Sequence, residues 1–179
     1  TLRTLAIMVV AALAALAAIS RPLLFATLQP ELAEAKGVSL RGIGVIPALH
    51  QHTGTCVETR DETYAVMEAV DTRYMKFGPD VGQLQKGGVD PVKVVKDFLP
   101  VVRHVHMKDF DGGPHYEGYC PLGQGKVDIA GLCDLLDKSG NDLMIMAELD
   151  STKGMPLAPL DAARINKDAL QKLGYVFRT

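Results

Sequence analysis

The chain has 179 residues, with 19 Lys and Arg against 21 Asp and Glu and a formal net charge of −2 at pH 7. Its basic residues, such as Lys86, Lys93, Lys96 and Arg103, are interleaved with acids, so the broad positive field that nucleic acid requires is excluded. A composition of 47% hydrophobic and 22% charged residues is that of an ordinary globular chain with one sizeable core. Cys56, Cys120 and Cys133 include no Cys-x-x-Cys pair, which argues against a thiolate zinc or redox site and for reduced thiols.

Residues 5–19 form an almost unbroken apolar, alanine-rich run after Arg3 and before Ser20, Arg21 and Pro22. Three readings stay open. A signal peptide explains the basic start and the small residues at Ala17, Ala18 and Ser20. A buried core helix is permitted by the helix propensity of alanine and leucine. A membrane span is disfavoured, because the run falls short of the roughly 20 residues that cross a bilayer. Residues 1–29 are therefore set apart as an apolar N-terminal segment and residues 30–179 as the folded domain. A cytoplasmic location is slightly favoured, export follows if the segment is a signal peptide, and membrane contact follows only if it is an uncleaved anchor.

From residue 30 onward, short β-type runs alternate with helical stretches, the pattern of a parallel sheet covered by helices. Residues 30–36 read as a helix end stopped by Gly37. Residues 42–49 read as a first strand, with Pro47 awkward in a central ladder. Residues 59–70 carry apolar positions at helical spacing after Glu58, Asp61 and Glu62, where acids favour a helix start. Residues 74–78 form a second strand. Asp90 and Pro91 open a helix that runs to Phe98, since Asp caps well and Pro suits the first turn. Residues 101–107 alternate as a third strand, and residues 129–138 form a helix. Residues 143–149 are a continuous apolar fourth strand, as expected when both faces are buried. A last helix covers residues 159–173, with Gly174 as its stop.

Polar side chains recur at the C-terminal ends of these four strands: His50 and His52, then Asp80, then His106 and Lys108, then Glu148 and Asp150. In a parallel barrel that rim carries the active site. Taken singly, each has an ordinary explanation as a cap, a core imidazole or a surface charge. Their convergence is the signal, because carboxylates after buried strands cost several kcal/mol of desolvation, on the order quoted for buried ions, unless a cation joins them. Two carboxylates with one or two imidazoles suit Mn²⁺, Mg²⁺, Co²⁺ or Zn²⁺. Such an ion polarises a carbonyl and supports proton transfer beside it.

Four motifs then carry a resemblance: residues 76–83 (KFGPDVGQ), 104–109 (HVHMKD), 121–128 (PLGQGKVD) and 146–150 (MAELD). In order and spacing they resemble the xylose isomerase-like superfamily of sugar phosphate isomerases and epimerases, over residue 37 to the C-terminus. The resemblance implies an α/β fold, with residues 30–179 supplying about four β/α units as the C-terminal half of a TIM (β/α)₈ barrel. It implies metal ligands at Asp80, His106 and Glu148. At the first ligand position, where many relatives carry Glu, this chain has His50. The sequence His50-x-His52-x-Gly54-Thr55 is instead similar to the inosose dehydratase branch. Gln83 stands where the family's Asp-x-Gly-His motif has a His that contacts substrate oxygens, and Gln hydrogen-bonds without titrating.

The expected activity is that of a metal-dependent sugar isomerase or epimerase acting beside the carbonyl of a small polyhydroxy substrate, with an inosose dehydratase-type lyase and an inactive barrel remnant as alternatives. Glu148 and one of His50 or His52 would move the proton, and Lys108, Gln83 and His52 would contact substrate. An ion pair between Lys108 and Asp109 is an equal alternative for that lysine. His115, Tyr116 and Tyr119 read as an exposed loop that could serve as a lid, and residues 123–125 as a turn without the ending of a Walker motif. A complete barrel needs eight strands and about 250 residues. Four units therefore imply a fragment, or closure by a second copy as a homo-oligomer.

Overall fold

A computed structural model describes residues 47–114, 116–150 and 156–177, with Val10 and Ala14 as isolated helical positions. The expectations placed on residues 1–46, the N-terminal segment among them, lie outside the described residues, apart from those two positions. The chain divides into two compact units, Thr1–Pro47 with Arg73–Met75, and Ala48–Thr72 with Lys76–Thr179. All the elements below belong to the second. None of the described helices is long and apolar enough to cross a membrane.

The elements in chain order are β1 (Ala48–Leu49), α1 (Arg60–Ala69), β2 (Lys76–Phe77), α2 (Val81–Lys86), α3 (Pro91–Asp97), β3 (His104–Met107), β4 (Asp109–Phe110), β5 (Tyr119–Cys120), α4 (Ile129–Ser139), β6 (Met144–Ala147) and α5 (Pro159–Lys172). β1 pairs in parallel with β2, and β3 in parallel with β6. Parallel bridges from Phe77 to Val102 and from Asp80 to His106 join the two pairs. The order β1-β2-β3-β6, with helices between successive strands, is the arc of a β/α barrel.

Local chemistry explains the helix starts. Thr59 accepts from Glu62 N while the Glu62 carboxylate accepts from Thr59 N at 2.8 Å, a capping box that opens α1. Asp90 accepts from Val92 N and Lys93 N, with Pro91 in the first turn of α3. α5 ends before Gly174, whose φ of +97° suits the stop expected there. The six-residue helix α2 has no counterpart among the expected elements, because it is shorter than any pattern at helical period resolves.

The strands alternate as a half-polar sheet must. On β3, Val105 and Met107 are fully buried with Phe77, Val81, Leu84, Val94, Val95 and Leu132 in the core beneath the helices. His104 and His106 face the other way, only half-buried. β6 departs from expectation. Its apolar run implies burial on both faces, yet Met144 and Met146 are 64% and 46% exposed. Its only strand partner among the described residues is β3, and the face its methionines share is the one carrying the histidines, not the helix-covered side. The loop after β3 also differs. It forms an antiparallel hairpin of β4 and β5 with Phe110 opposite Tyr119, and Tyr119 is buried rather than exposed. His115 and the Tyr116 side chain lie outside the described residues.

Candidate metal centre

Asp80 ends the segment after β2 and caps α2, its Oδ1 accepting from Gly82 N at 2.9 Å and Gln83 N at 3.0 Å. This capping turns Oδ2 toward β3. Lys108 Nζ approaches Oδ2 at 2.8 Å as an ion pair, off hydrogen-bond alignment, so Oδ2 is fully buried without an aligned donor. On β3, His106 Nδ1 meets Glu148 Oε2 at 2.5 Å. Donor atoms of Asp80, His106 and Glu148 lie within 4.8 Å of one another. His50 stands beside them, its Nε2 4.0 Å from Asp80 Oδ2 and its ring 4.5 Å from that of His106.

The charge balance suits a divalent cation. Lys108 Nζ is the shared counterion of three carboxylates, Asp80 at 2.8 Å, Asp150 at 2.9 Å and Glu148 at 3.4 Å. Three anions against one ammonium leave an excess of two negative charges. A buried carboxylate oxygen whose one close partner is the Lys108 ammonium, mixed oxygen and nitrogen donors and this excess together fit an oxygen-preferring or borderline divalent ion. Burial opposes the charge on Lys108, but attraction to Asp80 and the contact with Asp150 outweigh it and raise the ammonium's pKa. Burial likewise opposes ionisation of Glu148, and the bond from His106 with the charge of Lys108 still holds its carboxyl below the usual range.

The alternative ion pair of Lys108 with Asp109 is not formed. Asp109 is buried and accepts four backbone amides: Phe110 N and Val127 N on Oδ1, Gly123 N and Gly125 N on Oδ2, at 2.8 to 3.1 Å. The glycine turn at 123–125 is thus tied to the base of the β4–β5 hairpin. Lys108 itself is 1% exposed.

Gln83 is also buried, and its contacts are internal. Its Oε1 accepts from Thr53 N at 3.1 Å and Thr53 Oγ1 at 2.7 Å, which fixes the amide orientation because a backbone N–H can only donate. Nε2 then donates to His52 Nε2 at 2.7 Å, and His52 Nδ1 donates to Thr53 O at 2.8 Å. Gln83 therefore sets the neutral Nδ1–H tautomer of His52. His52 stays exposed at the mouth of the arc. Gln51, buried beside it, donates to Asp80 O at 2.7 Å.

Three features of the site lie beyond the sequence pattern. His104 joins His50 and His106 in a cluster whose donor atoms lie within 4.8 Å of one another; the i, i+2 spacing with His106 is the one available signal. Burial, then the neighbouring His106 and His50, lower the His104 pKa. Asp150 proves to share Lys108, and burial pushes the Tyr119 phenol beneath that ammonium up to about 12. No spacing rule reveals either.

A family model described as the xylose isomerase-like TIM barrel matches residues 7–173. The chain belongs to this family. Among curated relatives, inosose dehydratase of Clostridium botulinum (strain Eklund 17B) is 28% identical over 125 residues, 60% of this chain and 42% of the relative. Inosose dehydratase of Clostridium perfringens (strain 13) is 28% identical over 143 residues, 70% of this chain and 46% of the relative. The chain spans under half the length of these curated relatives. Among solved structures, the IolI protein with a binding zinc atom superposes at a TM-score of 0.61 with 19% identity, covering 79% of this chain and 53% of that one. The probable 3-DHS dehydratase AsbF of Bacillus anthracis superposes at 0.59 with 19% identity, covering 75% and 51%. These superpositions establish the barrel fold.

Proposed function

We propose that this chain carries the catalytic rim of a metal-dependent hydro-lyase that abstracts a proton beside the carbonyl of a small polyhydroxy or keto-cyclitol substrate and then releases water. One observation carries the reading. Glu148 is kept ionised beside a cation-compatible triple, while the position opposite it holds the imidazoles of His50 and His52 and no second carboxylate. A divalent ion held by Asp80, His106 and Glu148, with His50 at hand, would polarise the substrate carbonyl and acidify the adjacent C–H. The zinc of the IolI protein and the inosose dehydratase relatives support this direction.

Each residue has a separable part. Glu148, an ionised carboxylate, accepts the proton from carbon. Lys108 keeps Asp80, Glu148 and Asp150 together and limits their mutual repulsion. His52, its neutral form set by Gln83 and its Nδ1–H held by Thr53 O, is a fixed polar group at the exposed mouth, and the proton that Glu148 takes from carbon passes to the departing hydroxyl so that it leaves as water. The isomerase or epimerase reading shares the proton abstraction and differs in the second step, because the proton would return to carbon. Epimerisation draws on a second carboxylate at the position of His50, where this chain has an imidazole. Elimination is favoured for this reason.

The test is incubation of the full chain with Mn²⁺ and either a keto-inositol or a ketose, with products followed by NMR. Loss of water from the keto-inositol supports the proposal. Conversion of the ketose to an aldose or epimer without water loss transfers it to the isomerase reading. An ion-loaded chain that turns over neither overturns the enzymatic reading.

A further inference from the structure

We propose a second transition-metal position on the same sheet face, formed by the imidazoles of His50, His104 and His106 and selective for a borderline ion such as Zn²⁺ or Cu²⁺ over Mg²⁺. It shares His106 with the position proposed above, so the two are alternatives for one ion, and its test removes Asp80 and Glu148 to tell them apart.

Donor nitrogens of these three residues lie within 4.8 Å of one another. Metal–imidazole bonds of about 2.0–2.1 Å place donors at most about 4.2 Å apart across an ion, so ring shifts of under about 1 Å complete the set. The tautomer of His50 is already the one an ion needs. Its Nδ1 must carry the proton to donate to Gly78 O at 3.0 Å, so the lone pair lies on Nε2. Gly78 also makes room for the cluster. A Cβ there would lie 2.2 Å from two atoms of the His104 ring, so any other residue would displace that imidazole.

The surroundings favour a soft or borderline ion. The parallel register sets Met144 beside His104 and Met146 beside His106, and paired residues of neighbouring strands share a face. Both methionines are exposed on that face, adding thioethers to an imidazole environment, a combination that disfavours Mg²⁺. Three neutral imidazoles leave the ion's charge uncompensated, and the Asp80 carboxylate 4.0 Å from His50 Nε2 supplies opposite charge without joining the triple.

The experiment titrates the full chain, an Asp80→Asn/Glu148→Gln variant and the same variant with His104→Gln, using Zn²⁺ against a chromophoric chelator. X-ray absorption then counts imidazoles on the bound zinc. The double variant should retain one Zn²⁺ with an imidazole-rich shell, undiminished by excess Mg²⁺. Adding His104→Gln should weaken Zn²⁺ at least tenfold. A folded double variant that binds no zinc, or one indifferent to His104→Gln, overturns the site. If the double variant does not fold, the unsubstituted chain with one equivalent of Zn²⁺ decides. Three imidazoles on the bound zinc support the site, and two or fewer overturn it.

Discussion

Lys108 reaches Asp80 because residue 82 has no side chain: a Cβ on Gly82 would stand 2.8 Å from Lys108 Cγ and 2.9 Å from its Cβ. The ammonium, the capping carboxylate and the first turn of α2 therefore depend on a single missing methyl group.

Gly82→Ala should accordingly destabilise the chain, although alanine is the better helix former. The contact falls on the root of the lysine, which cannot swing aside, so overpacking of about 1–3 kcal/mol outweighs a propensity gain of at most about 1 kcal/mol. Thermal unfolding should shift down by a few degrees for a domain of this size. An unchanged or raised midpoint would contradict the contact.

Lys108→Met tests the charge balance. Removing the ammonium strands Asp80 as a buried carboxylate, at a cost of about 3–5 kcal/mol. The metal-free variant should melt well below the parent. Its affinity for Mn²⁺ should rise by about tenfold, a change of ~1.4 kcal/mol, since three carboxylates then await a cation. Isothermal titration that finds Mn²⁺ binding unchanged or weakened would show that Lys108 does not compete with an ion.

Gln83→Glu should put a proton on His52 Nε2. The parent amide donates to His52 Nε2, whereas a carboxylate can only accept there, so Nε2 must take a proton while Nδ1 keeps its own on Thr53 O. Nitrogen-15 shifts of the His52 ring distinguish the two forms. The same Nδ1–H form in both proteins would refute the assigned network.

Thiol chemistry should separate the cysteines. Burial, then the charges of Asp109 and Asp111, push the Cys120 thiol up to about 12, and burial raises Cys133 as well. A thiol reacts as its thiolate, so Cys120 stays protonated and inert until pH nears that value. At about pH 8, Cys56, which is exposed, should take up iodoacetamide alone, as read by mass spectrometry. Modification of Cys120 in the folded chain at comparable rate would contradict its burial.

The four strands and the helices at 60–69, 91–97, 129–139 and 159–172 were legible because periodicity, caps and prolines act locally. That Asp80, His106 and Glu148 lie together was legible for another reason: strand ends in a parallel barrel converge, so position along each strand implies position in space. What the sequence hid depended on contacts between distant segments. Lys108 could pair with its neighbour Asp109 or with remote carboxylates, and only the fold decides, since Asp109 turns away to accept amides. The role of Gln83 was hidden likewise, because burial and partners 30 or 31 residues away make it a support for His52. β6 reads as fully buried because its apolar run records no neighbour.

The Asp109 carboxylate has a consequence for motion. The amides of Phe110, Gly123, Gly125 and Val127 all end on it, and those of Gln124 and Lys126 are taken by Pro121 O and Phe110 O. A segment anchored at one point by so many donors has no half-released form that keeps most of its bonds. It should open as one cooperative unit, with these amides exchanging hydrogen at a common rate.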